Sequence, residues 1–482
     1  METLTKTIKR LNDEQFQELL SEVAPNKQSK PYLVLEAARQ RELNDSQMIE
    51  YLEVNPNTYY TLKSRLSTKI ASVLSKKVVN PISILMQEVA RVPANLYGNN
   101  KQVAIRALKE LEKQLIEYDM SNELITVYKT LARLYMYNEQ EHEHYSRLHD
   151  KYVAFSLAGI KAENLFYDFI LKAGKYELTR QKQDLDAVQD IVRKLSNIAE
   201  LYDSHRLYVF YNIIRIYHIC MISEDNESIQ SREIEIDQTL KNIQAIFDKY
   251  PLDTLYNNIR FMVAFLYFEY YQKCGYYVRA RHYYEKVKDR IPELAGQHIL
   301  SFHVIRFLQS KLEMFLTSED INELTELNDT LKADLDIDKE EIYQYVFLNR
   351  YFAISKFYER EYSATAKLLN KLRHEAYLKP YHHIDMDIKM FQALQYCLMR
   401  DADLAKQMLN SVARQSKEDD GYENIDILIK FIRASFKDTD PPKKVKRLEY
   451  LWNQFLAANK GQKRILEYVR LNETMLATMA KF

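Results

Sequence analysis

Only seven glycines and ten prolines interrupt the 482 residues of this chain. Folds built from strands need such residues at every tight turn, so this scarcity leaves room for few connections. Long helices joined by short polar loops are what remains. The rest of the composition agrees. With 46% hydrophobic residues there is enough apolar material for sizeable cores. The 68 basic and 68 acidic side chains cancel, which argues against an extended nucleic-acid-coating surface but not against one local basic element. The first twenty residues, METLTKTIKRLNDEQFQELL, hold no apolar run of signal-peptide length. No stretch of about 18 uncharged apolar residues follows. The expectation is a cytoplasmic protein that does not enter a membrane.

Apolar side chains recur at helical spacing along most of the chain. In LITVYKTLARLYMY the large residues Leu124, Tyr128, Leu131, Leu134 and Tyr135 follow steps of three and four. Similar stripes occur in LYVFYNIIRIYHIC, EIYQYVFLNRYFAISKFY and DIKMFQALQYCLM. Many of the 37 tyrosines lie at such spacing, where the ring fills a helix interface while its hydroxyl stays near water.

One stretch, NIRFMVAFLYFEYYQKCGYYVRARHYYEKVKDRIPEL, carries a finer pattern. Gly275 ends a helix, Tyr277 and Ala280 follow, Tyr284 comes one turn later, and Pro292 closes the second helix. This resembles the tetratricopeptide repeat (TPR), a helical hairpin with small residues where its helices cross and a final Pro. Phe268 stands where the first helix usually has a small residue, which predicts looser packing there. Two later stretches match in part. One has Ala353, Tyr362 and, in place of Ala, Thr365; the other has Ala393, Tyr396, Ala405, Leu409 and Val412, with Arg400 in place of Gly. Upstream, Ala132 and Tyr135 have no clear second half. The resemblance implies an all-α fold in which residues 101–482 form a TPR-like α-solenoid. Its groove, lined by Tyr267, Tyr271 and Arg279, would hold a protein or peptide partner. A closed helical bundle is the alternative architecture.

Residues 1–92 read as a separate helical module, joined by a linker at 93–100 where Pro93, Gly98, Asn99 and Asn100 cluster. Three helices are expected over residues 30–77. Pro31 suits a first turn, Asn44 or Asp45 caps the second helix, and Asn55-Pro56 caps and opens the third. Val54 packs in the elbow between the second and third. On the third helix Tyr59, Leu62, Leu66, Ile70 and Val73 share one face. Asn57, Tyr60, Thr61, Ser64, Ser67 and Thr68 share the other, and such side chains hydrogen-bond to base edges and phosphates. From Val54 to Gln87 the chain has Lys63, Arg65, Lys69, Lys76 and Lys77 but no acid. Lys69 lies toward the apolar edge, where its stem can snorkel.

Residues 45–74 resemble the helix-turn-helix at the C-terminal end of bacterial sigma factors, whose recognition helix is matched by Thr58, Leu62, Lys63, Ser64, Arg65 and Leu66. The resemblance implies DNA binding through Asn57, Tyr60, Thr61, Lys63, Ser64 and Arg65. Glu53 departs from it, because that turn often takes Gly to allow a left-handed backbone. The alternative is that this basic helix docks on an acidic protein surface and caps the solenoid.

Other candidate chemistry is weaker. Cys220, Cys274 and Cys397 form no CxxC pair and suit structural burial. His142 and His144 lie about 200° apart on a helix, too far round to share an ion. His149 stands near them, and His382, His383, Asp385 and Asp387 form a second polar cluster. No P-loop, GxGxxG, GxSxG or HExxH occurs. Neither an enzyme nor a bound metal or cofactor is expected. Two functions remain. One is a regulator whose head binds DNA and whose body binds a protein or peptide, its curvature repositioning paired heads in a homodimer. The other is a scaffold for protein–protein interaction.

Overall fold

The structure is a computed structural model and describes residues 8, 13–24, 26, 29–40, 45–76, 81–98, 100–222, 229–251, 253–295, 301–334, 337–417, 421–437 and 440–481. Every regular element among them is a helix. None is long and apolar enough to cross a membrane. The chain divides into two compact units, Met1–Gln114 and Leu115–Phe482.

The first unit begins with α1 (Asp13–Val23), α2 (Lys30–Gln40), α3 (Asp45–Tyr51) and α4 (Pro56–Lys76). The three helices expected over 30–77 are α2, α3 and α4; α1 completes their core. Phe16, Leu19, Leu20 and Val23 of α1 pack with Val34, Leu35, Met48, Leu52, Tyr59, Leu66 and Ile70. Asn55 caps α4 by accepting the Thr58 N–H at 2.8 Å, and Pro56 supplies its first residue. Asn44, Lys77 and the side chains of Thr68, Val73 and Lys76 lie outside the described residues. Helices α5 (Pro81–Gly98) and α6 (Lys101–Glu117) follow. Pro93 lies inside α5, so the expected linker is helical as far as Gly98, and the two units part within α6.

The second unit opens with α7 (Ser121–Leu134) and α8 (Glu139–Thr179). The partner for Ala132 and Tyr135 is therefore α8, a helix of 41 residues. Then come α9 (Lys182–Leu201), α10 (His205–Ile222), α11 (Glu233–Lys249), α12 (Phe261–Lys273), α13 (Tyr277–Lys288) and α14 (Ser301–Ser318). The remaining long helices are α15 (Ile342–Tyr358), α16 (Tyr362–Glu375), α17 (His382–Leu398), α18 (Ala402–Gln415), α19 (Glu423–Ser435) and α20 (Pro441–Ala458). A shorter helix, α21 (Glu473–Ala480), comes last.

Three of these helix pairs, α12–α13, α15–α16 and α17–α18, share one register. Each pair is joined by three residues whose middle one is left-handed: Gly275 at φ 76°, and Arg360 and Arg400 both at φ 63°. The last N–H of each turn reaches back to the carbonyl of Tyr271, Lys356 or Tyr396, which closes a Schellman motif. Five residues on comes a small buried side chain, Ala280, Thr365 or Ala405. Four further on comes a larger one, Tyr284, Leu369 or Leu409. Seven residues before the left-handed position stand Phe268, Ala353 and Ala393, all fully buried. Phe268 lies between Tyr284 and Phe307, with ring centroids 5.6 Å away in both cases, so its extra bulk fills the site instead of loosening it. Pro292 does not end α13, which stops at Lys288; it lies in the short helix Ile291–Ala295 that follows.

Within the second unit α12, α14, α15 and α17 are buried on nearly all sides, whereas α13, α16 and α18 bury one stripe each. The late half of α8 runs against α10, α15 and α17. There Gly174 permits close approach, since a Cβ would stand 2.9 Å from Cγ of Tyr343. One irregular segment, 459–472, is partly interior: Ile465, Leu466, Tyr468 and Val469 are buried.

Candidate functional site

The turn between α3 and α4 supplies the geometry that the sequence left open. Glu53 is left-handed at φ 49°. The N–H of Glu53 donates to Glu50 O at 3.1 Å, and that of Val54 to Ile49 O at 3.3 Å. The conformation usually given to Gly is thus adopted by Glu. Val54 packs against the head core as expected.

The turn sets the two faces of α4. Tyr59, Leu66 and Ile70 are buried, and Leu62 packs at the core's edge. Asn57, Tyr60, Thr61, Ser64 and Arg65 are all exposed. The Thr61 hydroxyl donates to Asn57 O at 2.8 Å and that of Ser67 to Lys63 O at 2.9 Å, so both remain able to accept from outside. Lys69 donates to Val23 O at 3.0 Å, a cation on the end of α1.

Lys63 differs from the other five candidates. Its ammonium lies 3.1 Å from each carboxylate oxygen of Asp45, and the buried Tyr59 donates its hydroxyl to the same carboxylate at 2.8 Å. Burial opposes ionisation of Asp45, but hydrogen bonds, those from Tyr59 and Lys63 among them, and the lysine charge hold its pKa below the usual carboxylate range. Lys63 therefore ties α4 to α3, and Arg65 is an exposed cation of the outward face. The sequence marks Asp45 only as a cap; its place opposite Lys63 depends on the angle between the two helices.

In the second unit the three residues expected to line a groove are not an open surface together. Tyr267 and Tyr271 are buried. Tyr267 stacks on Tyr283 with centroids 4.5 Å apart and directs its hydroxyl to Asp237. Arg279 is exposed, paired with Glu233 at 2.5 Å, and lies 5.5 Å from the Tyr271 ring centroid.

The inner helix faces instead hold a network of charges that sequence reasoning missed. Arg306 of α14 pairs with Glu269 of α12 and stands 3.8 Å from Glu177 of α8, which also binds Arg180 at 2.6 Å. Arg350 of α15 pairs with Asp387 of α17 at 2.8 Å. Segment 459–472 lies against this network. Asp387 accepts the Leu466 N–H at 2.6 Å, while the Tyr358 hydroxyl donates to Tyr468 O at 2.9 Å and accepts the Arg470 N–H at 3.0 Å. Burial would raise the pKa of Glu467, yet the charges of Arg464, Lys273, Arg180 and Arg350 hold it at about 2.

Three of the candidate histidines have structural partners. His142 hydrogen-bonds to Ala132 O at 2.8 Å, His149 to Asp150 at 3.0 Å, and the buried His383 to the Tyr422 hydroxyl at 3.1 Å. All three cysteines are buried. Burial pushes the thiols of Cys274 and Cys397 up to about 11 and about 12, which disfavours thiolate chemistry. No family model matches the chain, and no curated protein or solved structure shows significant similarity to it.

Proposed function

We propose that the protein is a non-enzymatic regulator whose head binds DNA through α4 and whose body, a TPR-like α-solenoid, binds a protein or peptide. The observation that carries the DNA half is the outward face of α4. Asn57, Tyr60, Thr61, Ser64 and Arg65 are exposed on one helix whose other face is core, behind a tight turn with Glu53 left-handed. Arg65 supplies charge to a phosphate, and the amide and hydroxyl groups supply donors and acceptors to base edges. The repeated register of α12–α13, α15–α16 and α17–α18 supports the solenoid half.

Fluorescence anisotropy of a random duplex, titrated with the full chain at two salt concentrations, tests the head. Binding that weakens with salt and is lost in Arg65→Glu is expected. Absence of binding at low salt, with the protein folded, would leave the scaffold function in its place.

A further inference from the structure

Between α12, α14 and the irregular segment 459–472 lies a cavity of about 420 Å³, within the size range of ligand sites. Gln272, Lys273, Glu313, Arg464, Glu467 and Arg470 are among its lining residues. Four of their charges cancel in pairs, Lys273 on Glu313 and Arg464 on Glu467. Two groups are left over. Gln272 is only 6% exposed, yet its Oε1 accepts no hydrogen bond from any described residue. Arg470 donates to two main-chain carbonyls, of Glu467 at 3.0 Å and Val469 at 2.9 Å, and has no carboxylate partner among the described residues.

A buried acceptor and a surplus cation in one cavity call for a ligand that brings an N–H and an anion. We propose that the cavity binds the carboxy-terminal end of a peptide, with its free carboxylate on Arg470 and its last amide N–H on Gln272 Oε1. Leu316 and Leu456, also among the lining residues, offer apolar surface to the final side chain. The neighbouring surface already handles a main chain in this manner. Asp387 and Tyr358 hydrogen-bond the backbone of 459–472, and cations surround the Glu467 carboxylate. The inference rests on the body being the ligand-binding half of the proposed regulator and is independent of whether the head binds DNA.

The test is affinity selection on the full chain. A library of random hexapeptides with free carboxy termini, and the same library amidated, are each incubated with protein; bound peptides are recovered by gel filtration and identified by mass spectrometry. Peptides from the free-carboxylate library are expected to be retained, with apolar last residues enriched, and the amidated library is not. Arg470→Gln and Gln272→Leu each lower retention about tenfold, the loss of one hydrogen bond with a charged or buried group. Arg470 is exposed, so its variant folds. Gln272→Leu removes an unsatisfied acceptor, so its melting temperature rises while its binding falls, a combination that simple misfolding does not produce. Equal retention of both libraries, no retention of either, or full retention by both variants overturns the proposal. A chain that binds duplex DNA but retains no peptide loses this inference alone.

Discussion

Arg360 and Arg400 hold the same left-handed backbone, φ 63° at each, in turns that Gly275 makes elsewhere in the same unit. A side chain in this conformation costs about 1–2 kcal/mol that glycine avoids. Arg360→Gly and Arg400→Gly are each expected to stabilise the protein by about 1 kcal/mol. Gly275→Ala is expected to do the reverse. Urea unfolding of the three variants checks the signs, and a destabilised Arg400→Gly would show that the arginine side chain contributes more than its backbone costs.

The approach of α8 to α15 depends on Gly174. A methyl group there meets the Tyr343 ring at 2.9 Å, and that ring is itself buried. Gly174→Ala should destabilise the second unit by about 1–3 kcal/mol, the usual range for overpacking. Calorimetry should show part of the loss recovered when Tyr343→Leu makes room in the same chain. No loss from Gly174→Ala would mean that the two helices separate freely.

Acid should weaken the fold before its carboxylates titrate. His303 is buried against Tyr217, its Nδ1 2.6 Å from the hydroxyl, and burial lowers its pKa to about 3. His383 is buried and held well below the usual histidine range by burial and by the nearby cations Arg180, Arg350 and Lys463. Both are neutral in the folded chain, whereas the unfolded chain protonates them near pH 6.5. The unfolded state therefore binds more protons, and stability falls as pH drops below about 6.5. Each histidine contributes up to about 1.4 kcal/mol per pH unit in that window. Chemical denaturation from pH 7.5 to 5 should show this slope, and His303→Phe should flatten it.

The parts of the fold that could be read from the sequence are those decided by neighbouring residues. Asn55-Pro56 specifies where α4 begins because a cap and a first turn are local, and the alternation around Tyr59 to Ile70 assigns its inner face. The same holds for Ala280, Ala405 and the left-handed Arg400, which follow the short-range pattern of a helical hairpin. Lys63 could not be placed this way. Its partner Asp45 lies across the turn, and free and paired lysines look alike in sequence. The stretch ANKGQKRILEYVRL was harder still. Gly461 and its clustered charges resemble a solvated loop, and its burial depends on Asp387, Tyr358 and the distant cations around Glu467.

That dependence has a consequence for how the protein is made. Arg180, Lys273 and Arg350 leave the ribosome long before Glu467, the carboxylate they surround. Until it arrives, these cations have one carboxylate apiece, Glu177, Glu313 and Asp387, while the Tyr358 hydroxyl lacks the main-chain partners that 459–472 brings. A translation product cut short before 459–472 would leave Tyr358 and one carboxylate oxygen of Asp387 without those partners in an otherwise complete interior, and unsatisfied buried polar groups cost stability.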